Sequence, residues 1–179
     1  MKLASQIIVT ISDILFVMSM LSKKKTHLLI FLCVSDITFA LHYFLLQANS
    51  GAWVFIVDSI YLISIFLLEH YHKENFKLLV TLLSVVLVII CCALSWQSWV
   101  SILPMVAMAT SLICSCFKNV VIVKSGAFVR NILNLIYMLV IPNKSLIGAI
   151  LQGVLIIISF IGIIQSVKFK KQMVEKQPK

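Results

Sequence analysis

Residues 78–94 read LLVTLLSVVLVIICCAL, a run with no charged side chain and with hydroxyl groups only at Thr81 and Ser84. About 20 apolar residues in an α-helix cross a hydrocarbon core of roughly 30 Å. The run is too continuous for a strand of a membrane barrel, in which polar and apolar side chains alternate. The stretch therefore predicts a transmembrane helix.

Similar apolar runs lie on both sides of this segment and fill almost the whole chain. The mean hydropathy is +1.10, with 61% hydrophobic and 12% charged residues, and this composition excludes a water-soluble domain. We predict an all-α, polytopic protein in the lipid bilayer of an inner or plasma membrane. About seven transmembrane helices are predicted, at residues 4–20, 28–47, 52–68, 78–94, 99–117, 120–141 and 146–167.

The lysines predict the orientation, because Lys and Arg near short loops are retained on the cytoplasmic side. The links after the first, third and fifth predicted helices and the tail carry most of the cations: Lys23, Lys24, Lys25, Lys73, Lys77, Lys118, Lys168, Lys170, Lys171, Lys176 and Lys179. Only Lys2 and Lys144 fall on the opposite side. The N-terminus is therefore predicted to lie outside and the C-terminus in the cytoplasm. Lys124 is expected to extend its ammonium group to the inner interface, and it receives no role.

The formal net charge of +9 is compatible with binding to nucleic acid or to anionic lipid. Each lysine near an anionic leaflet gains about 1 kcal/mol, so anionic lipid headgroups at the basic cytoplasmic loops are expected as partners, and nucleic acid is not.

The five cysteines all lie in predicted spans, which argues against a disulfide framework and against zinc. No glycine-rich phosphate loop or hydrolase motif occurs, so no cofactor, metal or enzymatic activity is predicted.

An internal repeat divides the predicted transmembrane domain, residues 1–167, into two halves. Residues 4–70 and 99–167 are predicted to form two parallel three-helix bundles, with 78–94 as the linker helix and 168–179 as a basic cytoplasmic tail. A single span between the halves gives both the same orientation, which is the arrangement of parallel repeats in transporters. The repeat predicts a polar cavity between the bundles.

Polar residues recur at matching places in the two halves. His42 corresponds to Asn134 (134 − 42 = 92), and Asp58 corresponds to Gln152 (152 − 58 = 94). A separate pattern, the small residues Gly148, Ala149 and Gly153, predicts close packing along the seventh helix.

Arg130 is the centre of the candidate site, because a charge at the bilayer centre costs at least about 3 kcal/mol unless it is paired or hydrated. Asn134 lies four residues further, on the same face of the sixth helix. Asp36 and Asp58 are the best candidate partners of Arg130, and Asp13 is the third. The predicted substrate-binding residues are Asp36, His42, Asp58, Arg130, Asn134 and Gln152.

Three functions are compatible with these residues. The leading hypothesis is a facilitator-type transporter whose small polar solute binds near the midplane, with rocking of the bundles providing alternating access. The alternative is a non-transporting assembly or regulatory protein in which Arg130 and an aspartate form a structural pair. A third is an intramembrane enzyme using Asp36 and Asp58, which no catalytic motif supports. His42 alone is equally well explained by helix packing.

Short stretches of the chain resemble the YgjV family of bacterial inner-membrane proteins. They are ALHYFLL at 40–46, SGA at 50–52 followed by Asp58, ILP at 102–104 leading to Arg130, and SLIG at 145–148 with Gln152. The resemblance runs from the second helix to the seventh and implies location and fold rather than an activity. The family pattern has Asn at the position of Asp58 and an acid at that of Gln152, so amide and acid are exchanged here. The three-plus-one-plus-three architecture is also similar to that of the SWEET and PnuC transporters, facilitators of small polar solutes.

Overall fold

The computed structural model describes residues 2–96, 98–140 and 146–175, and within them every regular element is a helix. The helices are α1 (Lys2–Leu21), α2 (Lys25–Leu45), α3 (Asn49–His70), α4 (Lys77–Leu94), α5 (Ile102–Cys116), α6 (Val120–Val140) and α7 (Leu146–Glu175). Short 3-10 turns precede α4 and α5. Seven helices in these ranges are long and apolar enough to cross a membrane, which confirms the prediction of an all-α chain with seven spans.

The ends of the helices differ from the predicted spans in ways that follow from backbone hydrogen bonding. The largest difference is in α7, which runs to Glu175 rather than ending near Val167. A helix does not stop where the apolar run stops, because its backbone bonds continue into the polar interface. The predicted end of the sixth span at Ile141, its link at 142–145, and the lysines at 176 and 179 lie outside the described residues.

Six of the helices form a closed ring. Neighbours around it are α1, α2, α3, α5, α6 and α7, and α7 packs back on α1. These contacts map onto themselves when α1, α2 and α3 are exchanged with α5, α6 and α7: the α1–α7 contact, for example, becomes the α5–α3 contact. Two parallel repeats related by a two-fold axis would have this pattern.

Helix α4 lies outside the ring against α3 and α5, as a linker would. Its polar residues Thr81 and Ser84 are buried against the protein, whereas a broad face of leucines, valines and isoleucines is exposed. Tyr61 of α3 anchors it: its hydroxyl lies 2.7 Å from the Leu112 carbonyl of α5 and 3.1 Å from Thr81 Oγ1. In a bilayer this exposed apolar face contacts lipid.

Acid and base side chains bring together the links that follow α1, α3 and α5. Glu69 Oε1 accepts from Lys25 Nζ at 2.5 Å and from Lys77 Nζ at 2.8 Å, and Lys118 pairs with Glu74. These links therefore meet at one end of the ring, as an alternating up-and-down chain requires.

A close approach along α7 lies at Gly162. A Cβ atom at Gly162 would lie 2.8 Å from the Met20 carbonyl oxygen of α1, closer than real contacts allow. Of the predicted stripe, Gly148 and Ala149 are buried, whereas a Cβ at Gly153 meets nothing within 4 Å, so the prediction of tight packing at Gly153 is wrong. Apolar helices give little sign of which face turns inward, and Gly153 was therefore assigned to the packed face.

We expect Gly162→Ala to destabilise the ring at its α1–α7 contact. Strain against the fixed backbone carbonyl of Met20 outweighs the gain in helix propensity, for a net loss of about 1–2 kcal/mol in the free energy of unfolding. Gly153→Ala on the same helix is the matched control, and it should be neutral or stabilising by up to about 1 kcal/mol. Unfolding in mixed detergent micelles measures both, and equal effects would contradict the close approach at Gly162.

Candidate functional site

Arg130, the only arginine of the chain, projects from α6 into the interior of the ring and is 1% exposed. Its Nη1 lies 2.7 Å from Asp58 Oδ2 on α3 and 3.2 Å from Asp36 Oδ1 on α2. Its Cζ lies 5.7 Å from the ring centroid of Phe16 on α1 and 5.8 Å from that of Phe55 on α3. The structure therefore pairs Arg130 with both of its leading candidate partners, and we call these three residues the Arg130 cluster.

The net charge of the Arg130 cluster depends on whether one of its two carboxyl groups binds a proton. With both carboxyl groups ionised its formal charge is −1, and with one proton bound it is zero. Asp36 and Asp58 are both 0% exposed, so neither charge is screened by bulk solvent.

Among the described residues no three His, Cys, Asp or Glu side chains are grouped to hold a metal ion.

The Arg130 cluster lies where the two halves of the ring meet. Asp36 and Arg130 are 94 residues apart. The rings of Tyr43 and Tyr137 also meet, with centroids 6.0 Å apart, and their separation is the same (137 − 43 = 94). Both contacts join α2 to α6, so the cluster and the tyrosines lie where these two helices face each other across the ring.

Several buried polar atoms in the interior of the ring make no hydrogen bond within the described part of the chain. They are both carboxylate oxygens of Asp13, Oδ1 of Asp36 and of Asp58, His42 Nε2, Tyr43 Oη and Arg130 Nε, although Asp36 Oδ1 is in ion-pair contact with Arg130. A buried polar group without a partner costs about 1–3 kcal/mol. These atoms are therefore the ones that gain most from a polar molecule in the interior.

Helix geometry places Asp13 and Tyr43 on interior faces. Asp13 lies three residues before Phe16, which contacts Arg130, and so shares its face of α1. Tyr43 lies seven residues after Asp36, two turns along the same face of α2. Tyr43 was not among the predicted site residues, although its seven-residue spacing from Asp36 is a signal that the sequence contains.

The other predicted residues have different surroundings. His42 faces α1, where its Nδ1 lies 2.8 Å from Ser5 Oγ. Gln152 of α7 donates to Asn131 Oδ1 on α6 at 3.0 Å, and Asn131 donates to Ser159 Oγ on α7. Asn134 is buried one turn beyond Arg130. The structure thus brings Asp36, Asp58 and Arg130 together, buries Asn134 one turn further along α6, and places His42 and Gln152 in contacts between neighbouring helices.

Comparison with known proteins identifies the family. Residues 3–170 match the model of the YgjV family, described as a bacterial inner membrane protein. Searches of curated proteins and of solved structures returned no significant match. The match runs from α1 into the last part of α7, and a multi-pass inner-membrane location agrees with the seven apolar helices. The chain belongs to the YgjV family of bacterial inner membrane proteins.

Proposed function

We propose that the protein is a facilitator-type transporter that binds a small polar solute at the Arg130 cluster. The observation that carries the proposal is the set of buried polar atoms without hydrogen bonds that α1, α2, α3 and α6 contribute to the interior of the ring. Ionisable groups that face the interior of a membrane bundle are costly, and they commonly mark substrate pathways.

The chemistry of these atoms defines the class of solute. Arg130 Nε is a donor, the oxygens of Asp13, Asp36 and Asp58 are acceptors when ionised, and Tyr43 Oη can act as either. A solute with several hydroxyl or amide groups matches this mixture. Phe16 and Phe55, which flank Arg130, would offer faces for the apolar side of a ring-shaped solute.

The location of the cluster also supports a transport role. Its ion pairs join α6 of one half to α2 and α3 of the other, so any rocking of the halves must loosen or rebuild them. A bound solute can take over these hydrogen bonds while the halves move, which couples its occupancy to the change of access. No bond-breaking step is assigned to Asp36 or Asp58.

The orientation is proposed from the lysines. The end of the ring where Lys25, Lys77 and Lys118 meet is assigned to the cytoplasm, with the C-terminal half of α7 on the same side and the N-terminus outside. The many lysines at this end, in the links and along the end of α7, are the ones expected to contact anionic lipid headgroups.

The test is a thermal-stability screen of the detergent-purified protein with sugars, nucleosides, vitamins and amino acids. A solute that binds the native state raises the melting temperature by mass action. We expect Tyr43→Phe and Asp13→Asn to fold as the wild type does, because neither group makes a hydrogen bond within the described chain. Each should weaken binding of the stabilising solute about 10-fold or more, as expected for a lost polar contact to a buried partner.

Tyr71→Phe is the matched control, since Tyr71 is 66% exposed and distant in sequence from the cluster. Uptake of the same solute into proteoliposomes should fall in parallel with binding. No stabilising solute in the panel, or unchanged binding in both variants, would count against the proposal.

The rival function is a non-transporting assembly or regulatory protein. One observation favours it: Arg130 Nη1 already contacts two carboxylate groups. Such ion pairs would hold the two halves together permanently. This model predicts that the Arg130 cluster can be replaced by apolar residues without loss of stability or phenotype.

A further inference from the structure

A second polar feature lies far from the Arg130 cluster, at the end of the ring where the α1–α2 and α5–α6 links meet. It is a cavity of about 440 Å³ between the end of α1, the start of α6 and the later turns of α7. Four lysines line it, Lys23, Lys118, Lys124 and Lys170, and no acidic residue among those described does. The proposed transport makes no use of this cavity, although its lysines are among those expected to contact anionic lipid headgroups.

The lysines of the cavity are largely without counter-ions. Lys118 pairs with Glu74, which does not line the cavity. Among the described residues, no carboxylate lies within 4.0 Å of the ammonium groups of the other three. The cavity therefore carries an excess of positive charge.

Lys124 is the most unusual of the four, because it is only 2% exposed. Its ammonium group stays within the protein at this end of the ring. It lies 2.8 Å from Ser166 Oγ and 3.4 Å from the Gly162 carbonyl, both neutral acceptors. A buried ammonium group without an anion is costly, and an anion bound in the cavity would offset that cost.

The start of α6 adds to the positive potential. Asn119, Val120 and Val121 line the cavity, and Asn119 Oδ1 accepts the Val121 N–H at 3.1 Å. Only some of the first-turn N–H groups of a helix can be satisfied in this way, and the positive end of the helix dipole favours an anion nearby.

The rest of the cavity wall is apolar, with contributions from Leu21, Val120, Val121 and Phe169. Lys23 Nζ lies 5.3 Å from the ring centroid of Phe169, so cation and apolar surface are adjacent. A phosphate group satisfies the lysines in either a soluble ester or a lipid headgroup, but only a lipid also covers the apolar wall. Basic pockets between transmembrane helices bind such headgroups.

We propose that this cavity is a binding site for a phosphate-bearing anion, and that its source is an anionic phospholipid of the adjacent leaflet. The phosphate lies among Lys23, Lys124 and Lys170, and the upper part of the acyl chains covers Leu21 and Phe169. One lipid then joins α1 of the first half to α6 and α7 of the second.

The experiment is a titration of the full-length protein in detergent with phosphatidylglycerol, with bound lipid counted by native mass spectrometry. The double variant Lys23→Gln/Lys170→Gln should weaken binding about 25-fold, from about fivefold for each lysine. Lys24→Gln/Lys168→Gln is the matched control: it removes the same charge at neighbouring exposed positions that do not line the cavity, and it should change binding less than about twofold. Equal weakening by both double variants would mean surface attraction only and would overturn the site.

Two further probes distinguish the sources. Phosphatidylcholine should bind at least 10-fold more weakly than phosphatidylglycerol, and equal binding would overturn the need for an anion. Glycerol 1-phosphate should not displace phosphatidylglycerol at comparable concentration. If it binds as tightly and depends on Lys23 and Lys170, the lipid source is wrong. Neither result depends on the solute screen, so this site and the transport function can fail separately.

Discussion

Replacing Arg130 by leucine lowers the free energy of unfolding by about 3–5 kcal/mol, because it leaves two buried carboxyl groups without the cation that both contact. The Arg130, Asp36 and Asp58 side chains are all at most 1% exposed, so water cannot take over the lost partner. Unfolding of the purified variant in mixed detergent micelles, monitored by circular dichroism, measures the loss. A change below about 1 kcal/mol would contradict the buried ion cluster.

A compensated variant separates structural from functional roles of the same residues. Arg130→Met combined with Asp36→Leu and Asp58→Leu removes the whole cluster, and apolar replacement of a complete buried ion group is often neutral or stabilising. We expect this variant to recover most of the lost stability. Under the transporter hypothesis it no longer binds the stabilising solute, whereas retention of the wild-type phenotype would favour the structural rival.

The seven spans were predictable from the sequence because bilayer thickness alone sets their length. The stretch 78–94 needs no knowledge of neighbouring helices to be assigned, and neither do the other apolar runs. The pairing of Arg130 with Asp36 and Asp58 was predictable for a related reason: few opposite charges occur inside the membrane, so their choice of partners is small.

The rotation of each helix about its axis was not predictable, and this limited the candidate site. His42 and Tyr43 are adjacent, yet His42 binds Ser5 on α1 while Tyr43 meets Tyr137 of α6. One residue corresponds to about 100° of rotation, and a helix that is apolar on all sides gives little sign of its orientation. For the same reason the sequence placed Gly153 on a packed face and gave no sign of the close approach at Gly162.

The two aspartates should differ in their importance for stability. Asp58 Oδ2 lies 2.7 Å from Arg130 Nη1, within the range of a strong charge-assisted hydrogen bond, whereas the nearest oxygen of Asp36 lies at 3.2 Å. Asp58→Asn is therefore expected to lower the free energy of unfolding by about 1.5–3 kcal/mol. Asp36→Asn leaves the shorter pair intact in a cluster of zero formal charge, and it should cost about 1 kcal/mol or less.

Asparagine has nearly the shape of aspartate, so the two single variants are matched controls for each other. The double variant leaves Arg130 as a buried cation without a counter-ion and should lose about 3–5 kcal/mol, at least as much as the two single losses together. Unfolding in mixed micelles gives all three values in one series. Equal losses in the two single variants would mean that Asp36 and Asp58 pair with Arg130 equally strongly. A larger loss for Asp58→Asn means that Asp36 is the weaker partner, and Asp36 is then the carboxyl group that a solute can most easily take from Arg130.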